Sequence, residues 1–333
     1  MSVAQPITVI AEAAQGFEGD PFVARLLVKA AAAGHADMVK FQLVYADELA
    51  TPEYAYYGLF KQLEMADQDW ERVAAEARAA KLALVLDVYG LKSLGVALAL
   101  GVDAVKVHAT DFFNDALVDE AIAKAPRVFF SAGGITADEV AAMLARHAGV
   151  VERLTMLYGF QSEPTATDDN HLRRLTTLRS RFPGLTFGFM DHADGEADEA
   201  GWLGVLAIAL GANVIEKHIT LDRALQMEDS MSALTARELG RYVGRLRAAE
   251  RALGSADLGL TPAEIDYRNR AIKVVVAARA LEPGTVLADS DVRLLRTVRD
   301  KDRQVFRRPG EVHGRRIVRG IARGGAIHPE DLA

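Results

Sequence analysis

The sequence predicts an α/β protein, a (β/α)8 TIM barrel followed by a small β-rich domain. Short apolar runs alternate with longer Ala-rich segments of helical periodicity, and this pattern repeats eight times. Each pair of parallel strands needs a crossover connection, which a helix usually provides. No G-x-G-x-x-G motif follows the first run, so a closed barrel is favoured over an open dinucleotide-binding sheet.

Strands are predicted where the apolar runs are short and bounded by turn residues. The eight runs are Ile7–Ala11, Met38–Phe41, Leu82–Asp87, Ala104–Val107, Val128–Ser131, Leu154–Leu157, Thr186–Phe189 and Val214–Ile219. Helices are predicted in the segments between and after them, among which are Phe22–Ala33, Trp70–Ala80, Ala137–Arg146, Asp198–Leu210 and Thr235–Leu253. Gly254 fits a C-terminal cap for the last helix.

The composition changes after this helix. We predict a barrel over residues 1–254, a linker over 255–269 and a small domain over 270–333, with strands at Lys273–Ala277 and Arg315–Val318. Residues 267–333 contain 15 Lys and Arg against 8 Asp and Glu, whereas the rest of the chain contains 24 against 38. A basic tail on an acidic body indicates self-association or an anionic partner.

Several classes of protein are disfavoured by composition. The chain has no cysteine, which excludes disulfides, thiolate metal sites and cysteine nucleophiles. No apolar run approaches the roughly 20 residues that cross a bilayer, so we expect no membrane partner. The N-terminus lacks the charged segment of a secretory signal, and a cytoplasmic location is expected.

Polar residues end most of the predicted strands. In a TIM barrel the carboxyl ends of the strands open on the active-site face. A single polar residue at a strand end is as often structural as functional, but Lys and Glu are seldom buried without partners. The set as a whole therefore predicts one site at this face, and besides two histidines it comprises Glu12, Lys40, Gln42, Asp87, Lys106, Thr110, Asp111, Ser131, Gln161, Asp191, Glu216 and Lys217.

His192 and His218 end the last two predicted strands. Two neutral imidazoles at neighbouring strand ends can bind a divalent ion and leave positions for water and substrate oxygens. The alternative is that both are packed core histidines. The other six histidines receive no role.

Lys40 and Lys106 are candidates for holding a carboxylate or phosphate, or else form structural ion pairs with Glu12 or Asp111.

Ordered motifs carry a resemblance to a known family. The stretches IAEAAQGFEGD, AGHADMVKFQ, DAVKVHATD, FFSAGG, GFQSEPT, GFMDHAD, IEKHITLD and EDSMSAL resemble, in this order, the sialic acid synthase family. These enzymes condense phosphoenolpyruvate with a sugar to form 2-keto-3-deoxy sugar acids. The tail beginning YRNRAIKVVVAARALEPGTVL resembles the antifreeze-like (SAF) domain of that family.

The resemblance implies roles for individual residues. His192 and His218 would bind the catalytic metal, usually Mn²⁺, with Mg²⁺ or Co²⁺ as alternatives. Arg270 would enter the barrel of the partner in a domain-swapped homodimer. The catalytic residues would be Glu12, Lys106 and Asp111. Phosphoenolpyruvate would be held by Lys40, Lys106 and Ser131, with Gln161 near its phosphate. The aldose acceptor would lie near Gln42, Glu216 and Asp229.

The chain departs from the family pattern inside the site. Ala109 and Met190 replace serines, Gly16-Phe17 replaces Asn-His, Asp229-Ser230 replaces Asp-His, and Glu163-Pro164-Thr165 replaces Tyr-Pro-Thr. These changes imply an acceptor other than N-acetylmannosamine. We assign Glu163 to substrate binding, where it would contact a hydroxyl or amino group of a different sugar.

Three functions are weighed. The leading one is metal-dependent condensation of phosphoenolpyruvate with an aldose, releasing phosphate. The loss of hydroxyls at Ala109 and Met190 favours a second, a metal-dependent aldolase or lyase of a related keto acid. The third is binding of nucleic acid or another anion through Arg307-Arg308 and Arg315-Arg316. This is disfavoured because few aromatic side chains lie there to stack on bases, and no nucleic-acid partner is expected.

Overall fold

A computed structural model describes residues 6–298 and 303–333 of the 333-residue chain. The chain divides into two compact units, Met1–Gly254 and Ser255–Ala333. In the first unit eight parallel strands pair in sequence order, and the first also pairs with the eighth. The predicted TIM barrel is therefore confirmed.

All eight predicted runs are strands, with ends that move by up to three residues. The first strand continues past Ala11 to Ala14, and the seventh continues past Phe189 to Asp191. These extensions place Glu12 and Asp191 within the barrel wall. The strands are β1 Thr8–Ala14, β2 Met38–Gln42, β3 Ala83–Val88, β4 Ala104–Val107, β5 Val128–Ser131, β6 Leu154–Tyr158, β7 Thr186–Asp191 and β8 Val214–His218.

Helices follow the strands as the crossover rule requires. The predicted helix Asp198–Leu210 is interrupted: a 3₁₀ turn, Asp198–Gly201, is separated from the α-helix by Trp202, whose φ of −139° is not helical. The helices of this unit are α1 Pro21–Ala33, α2 Ala46–Leu49, α3 Tyr57–Leu63, α4 Asp67–Ala79, α5 Leu91–Ala99, α6 Asp115–Lys124, α7 Ala137–Arg146, α8 Arg173–Arg181, α9 Leu203–Ala209 and α10 Ala236–Leu253.

The interior of the barrel has an apolar layer beneath a polar one. The apolar layer is a separate buried cluster of Ile10, Val85, Ala104, Phe129, Leu157, Met190 and Val214. Side chains two residues apart in a strand point to the same face. A residue two positions further along the strand therefore also points into the barrel, one level closer to the carboxyl end. Glu12 lies above Ile10 in this way, and Lys106 lies above Ala104.

The second unit contains little regular structure. The predicted strand at Lys273–Ala277 is present as β9 Val274–Ala277, and it pairs antiparallel with β10 Val292–Leu295, which was not predicted. Residues 315–318, predicted as a strand, make only isolated bridges, at Arg316 and Ile317. The domain still has its own buried core, which includes Val275, Leu281, Leu287, Val312, Ile327 and Leu332.

The segment predicted as a linker, residues 255–269, is partly helical. Helix α11, Pro262–Ala271, begins with a capping box in which Thr261 Oγ1 accepts from Glu264 N–H and Glu264 Oε2 accepts from Thr261 N–H. Proline at the first helical position favours this start. Among the described residues, no helix is long and apolar enough to span a membrane.

The loop after β8 is fixed to α10 by an ion pair. Arg223 donates from Nη1 and Nη2 to the two carboxylate oxygens of Glu238, at 2.6 and 2.8 Å. Glu238 Oε2 also accepts from Thr235 N–H at the start of the helix. The bond from Arg223 is the largest influence on this carboxyl and lowers the pKa of Glu238 to about 2.

We predict that Glu238→Gln lowers the free energy of unfolding by about 1 kcal/mol at neutral pH, because it removes a partly buried charge pair. A carboxyl with a lowered folded-state pKa stabilises the protein above its unfolded pKa of 4.5. The difference from wild type should therefore shrink as pH falls from about 4.5 to about 2. Urea unfolding at several pH values measures it. Glu139→Gln is the control and should show a smaller effect, because Glu139 accepts hydrogen bonds from Thr136 in an exposed capping box rather than from an arginine.

Candidate active site

A cavity of about 190 Å³ lies at the carboxyl ends of the barrel strands. A larger cavity of about 550 Å³ is lined partly by α7 and α8 and includes none of the predicted site residues. The smaller one is therefore the candidate active site. Its lining comprises Glu12, Gln42, Lys106, His108, Gln161, Glu163, His192, Glu216, His218 and Asp229.

Two lysines and three carboxylates form a buried charge cluster in the wall and floor of this cavity. Lys40 Nζ donates to both carboxylate oxygens of Asp87 at 2.9 Å, and it also contacts Glu12. Lys106 Nζ donates to Glu216 Oε1 at 2.8 Å. All five side chains are at most 2% exposed. Lys40 therefore forms the ion pair with Glu12 that we had weighed as an alternative.

The charges in this cluster shift one another's protonation. Burial lowers the pKa of Lys40 to about 8, although Asp87 and Glu216 oppose this shift. For Lys106 the cost of burial is outweighed by Asp87 and Glu216, and the pKa is raised. Burial would raise the pKa of Glu216, but the two lysines prevail and lower it to about 2. Lys106 and Glu216 therefore remain charged at neutral pH.

The predicted histidine pair is brought together. The ring centroids of His192 and His218 are 4.7 Å apart. Burial lowers the pKa of His218 well below its ordinary value, so this imidazole is neutral and free to bind a cation through nitrogen. Nδ1 of His192 is buried without a hydrogen-bond partner in the described part of the chain.

Glu163 completes a candidate metal centre. Glu163, His192 and His218 each offer a ligand atom, and these three atoms lie within 4.8 Å of one another. An unpartnered buried nitrogen beside a carboxylate is costly unless an ion or a ligand satisfies it. The residues present therefore fit a divalent cation. The sequence analysis assigns Glu163 to substrate binding, but the structure places its carboxylate beside the two histidines.

A buried network lies on the other face of β7 and β8. Lys217 Nζ donates to Asp191 Oδ1 at 3.1 Å and to the carbonyl of Ala193 at 2.7 Å. The hydroxyl of Tyr242, on α10, donates to Asp191 Oδ2 at 2.8 Å. Asp191 and Lys217 immediately precede His192 and His218, so the network fixes the backbone that carries both imidazoles.

Other predicted residues are held by polar contacts in or near the cavity. Ser131 Oγ accepts from the backbone N–H of Ala109 at 2.8 Å. Gln42 Oε1 accepts from Gln15 Nε2 at 2.7 Å. Asp229 lines the cavity in a left-handed conformation with φ of 60°. Burial, reinforced by the charge of Glu163, raises the pKa of Asp229 to about 6.

His108 is a cavity residue to which the sequence gave no role. Its Nε2 lies 3.1 Å from Gln161 Nε2, so the side chains of these two residues meet in the cavity lining. Burial, with the nearby charge of Lys106, lowers the pKa of His108 to about 3. His108 is therefore neutral at physiological pH. One sequence signal was available. His108 lies two residues after Lys106, and side chains two residues apart along a strand point to the same face.

Four of the residues given individual roles do not line the cavity: Lys40 and Ser131, described above, and Asp111 and Arg270. Asp111 lies on a 3₁₀ turn after β4 and accepts hydrogen bonds from Thr110 Oγ1 and Asn114 Nδ2. Burial raises the pKa of its carboxyl. Arg270 belongs to the second unit, where it is exposed on α11 and pairs with Asp266 at 2.9 Å. The roles assigned to Asp111 and Arg270 remain predictions.

A closed (β/α)8 barrel with a charged cavity at the carboxyl ends of its strands is the architecture of a barrel enzyme. The family can be stated more closely. Residues 27–257 match the NeuB family and residues 272–333 match the SAF domain. The chain belongs to the NeuB family, which confirms the resemblance to sialic acid synthases and to their antifreeze-like domain.

Named relatives cover most of the chain. The N,N'-diacetyllegionaminic acid synthase of Legionella pneumophila is 27% identical over 86% of this chain and 85% of its own length. The human N-acetylneuraminate-9-phosphate synthase is 28% identical, over 85% of this chain and 81% of its own length. The crystal structure of the N-acetylneuraminic acid synthetase of Leptospira borgpetersenii, in complex with citrate, has a TM-score of 0.74 at 25% identity and covers 80% of this chain and 93% of that one.

We predict that Tyr242→Phe lowers the free energy of unfolding by about 1–3 kcal/mol, because it leaves an oxygen of buried Asp191 without its donor. Thermal or urea unfolding of the purified protein measures this. Tyr45→Phe is the matched control, since the hydroxyl of Tyr45 donates to Asp67, which is exposed and can exchange that bond for water. Equal effects of the two substitutions would show that the buried network contributes nothing special.

Proposed function

We propose that this protein condenses phosphoenolpyruvate with an aldose and releases phosphate, giving a 2-keto-3-deoxy sugar acid. One observation carries the proposal. A single cavity holds a candidate metal group, Glu163, His192 and His218, together with Lys106, a lysine whose charge is retained. Family membership and the names of the relatives support the same reaction.

His192 and His218 would hold the divalent ion, for which Mn²⁺ is proposed ahead of Mg²⁺ and Co²⁺. A bound ion of this kind supplies Lewis acidity, which polarises the aldehyde oxygen of the acceptor. Asp191, Lys217 and Tyr242 keep the two imidazoles in place from behind the barrel wall.

Lys106, with Lys40 behind it, would hold the phosphate and carboxylate of phosphoenolpyruvate as point charges. Glu216 bonds to Lys106 and lies 3.5 Å from Lys40, so it keeps the two ammonium groups apart and oriented. The lysines align C3 of the donor with the aldehyde carbon of the acceptor, and positioning of this kind supplies much of the acceleration.

After the carbon–carbon bond forms, water adds at C2 and phosphate leaves. Asp111 is proposed to take the proton from this water. Its raised pKa makes the carboxylate a better proton acceptor than an ordinary aspartate. Glu12, which contacts Lys40, and Ser131 and Gln161 are assigned to the donor side. Gln42, Glu216 and Asp229 are assigned to the acceptor side.

The active protein is proposed to be a domain-swapped homodimer. Large apolar side chains are exposed on four of the loops that follow barrel strands, at Tyr54, Phe113, Phe160, Leu225 and Met231. A ring of this kind on the active-site face suits coverage by another protein surface. The basic small domain of a second copy is complementary in charge to the acidic barrel, and it would deliver Arg270 to the acceptor.

We predict that purified protein releases inorganic phosphate when it is incubated with Mn²⁺, phosphoenolpyruvate and at least one aldose of a broad panel. His218→Ala should abolish this release and weaken Mn²⁺ binding by about 100-fold or more, with an unchanged circular dichroism spectrum. Release of pyruvate from a 2-keto-3-deoxy acid, without use of phosphoenolpyruvate, would instead support the aldolase. No phosphate with any aldose would contradict the proposal.

We predict that Arg270→Ala raises the KM for the aldose at least tenfold and leaves the KM for phosphoenolpyruvate within about twofold, because the guanidinium would contact the acceptor alone. Steady-state kinetics with the active aldose measure both constants. Arg268→Ala, on the same helix, is the control. If Arg270→Ala and Arg268→Ala behave alike, Arg270 does not enter the partner's site.

A further inference from the structure

Glu163 lies in the loop after β6 and is fixed by its neighbours. Its Oε1 accepts from the backbone N–H of Ser232 at 2.8 Å. Its Oε2 faces His192 Nδ1 at 3.8 Å. A distance of 3.8 Å is too long for a hydrogen bond, so the carboxylate does not simply orient the imidazole as an acceptor. Two donor atoms at this separation can instead share one ion between them.

The charges around Glu163 leave it without a cation. Five carboxylates line or back the cavity, those of Glu12, Asp87, Glu163, Glu216 and Asp229, against the two ammonium groups of Lys40 and Lys106. Both lysines are committed to Glu12, Asp87 and Glu216. In the part of the chain that the structure describes, the one basic side chain within 4.0 Å of the Glu163 carboxylate is His192.

We infer that Glu163 is a third protein ligand of the divalent ion, together with His192 and His218, and that it binds the ion rather than the sugar. The inference rests on the proposed function in one respect, that a divalent ion occupies this cavity. Its observations are the common 4.8 Å group of ligand atoms, the unpartnered Nδ1 of His192 and the anchored carboxylate.

Two consequences follow from this ligand set. Two histidines and one carboxylate leave open positions on the ion for water and substrate oxygens, an arrangement that suits Mn²⁺ or Fe²⁺. The carboxylate also neutralises part of the charge of the ion, so the ion should be retained before any substrate binds. In addition, Glu163 would no longer be available to select the acceptor through a hydroxyl or amino group.

The same ligand connects the ion to the loop after β8. Ser232 donates from its backbone N–H to Glu163 and from its Oγ to the carbonyl of His192 at 2.9 Å. This loop also carries Asp229, which lines the cavity. An ion held by Glu163 and His192 therefore restrains both partners of Ser232, and binding of the ion should protect the amide of Ser232 from exchange with solvent.

The test is Mn²⁺ binding to the metal-free full-length protein without substrates, followed by electron paramagnetic resonance of the free ion. Glu163→Gln retains an oxygen that can accept from Ser232 but removes the charge, and it should weaken Mn²⁺ binding by about 100-fold. Glu196→Gln is the matched control, because Glu196 lies on the loop after β7, is largely exposed and does not line the cavity. It should bind Mn²⁺ as wild type does.

Hydrogen exchange supplies a second readout that does not depend on affinity alone. At saturating Mn²⁺ the peptide containing Ser232 should gain protection in wild type and in Glu196→Gln, and gain much less in Glu163→Gln. Wild-type affinity together with wild-type protection in Glu163→Gln would overturn the inference.

The outcomes separate this inference from the proposed function. If His218→Ala loses Mn²⁺ while Glu163→Gln binds it normally, the histidine pair holds the ion and Glu163 is not a ligand. If wild type binds no Mn²⁺, Co²⁺, Mg²⁺ or Fe²⁺ in the absence of substrates, both the third ligand and the substrate-free metal centre fail. Circular dichroism and thermal unfolding of each variant exclude a loss of fold as the cause.

Discussion

The two-residue repeat of the barrel strands is the constraint on which the site depends. Along each strand, the side chain that enters the barrel at one level is followed two positions later by one nearer the carboxyl end. The lower level is apolar and closes the barrel with side chains such as Phe129 and Leu157. The next level is charged, and it contains Glu12, Lys40 and Lys106. Because the apolar level excludes water from below, the charged level is reached from one side, and the electrostatic interactions inside it are strengthened. The fold therefore determines both where the polar residues meet and how strongly they interact.

Burying these charges is costly, so the cluster is stable only if its members compensate one another. Each lysine bonds to a carboxylate in the wall, and Glu216 lies within reach of both ammonium groups. Glu216 also precedes His218 by two residues on the same strand, so the side of the cavity assigned to the donor and the side assigned to the metal share one strand and one carboxylate. A substitution at Glu216 would therefore disturb the two lysines and the metal group together. Binding of phosphoenolpyruvate and binding of the metal ion both depend on Glu216, so a variant of Glu216 would not distinguish one role from the other.

The sequence predicted the barrel, the strand order and the meeting of His192 with His218, because strand periodicity and the carboxyl-end rule suffice for these features. It placed Asp87 at the active-site face but gave it no role, since an acid at a strand end has no visible partner until the neighbouring strand is in register. His108 was given no role because, unlike His192 and His218, it has no second histidine at a neighbouring strand end. The interaction of Asp191 with Tyr242 spans 51 residues, and no local pattern encodes it. In the small domain, residues 315–318 have the composition of a strand but make isolated bridges, because a core of this size is formed largely by turns.

Ala109 and Met190, which stand where the resemblance implies serine, lie at different levels of the barrel. Met190 belongs to the apolar layer, two residues before His192 on β7, so its side chain fills the floor and offers nothing to a bound anion. Ala109 donates its backbone N–H to Ser131 Oγ, which leaves the hydroxyl proton of Ser131 available to a bound anion. Besides Ser131, the polar groups available to the donor are Lys106 and the adjoining pair of His108 and Gln161. Because His108 is neutral, it can provide a hydrogen bond but no charge. Under the proposed function, the negative charge of the donor must therefore be balanced by the lysines, and the metal group must retain its ion through protein ligands.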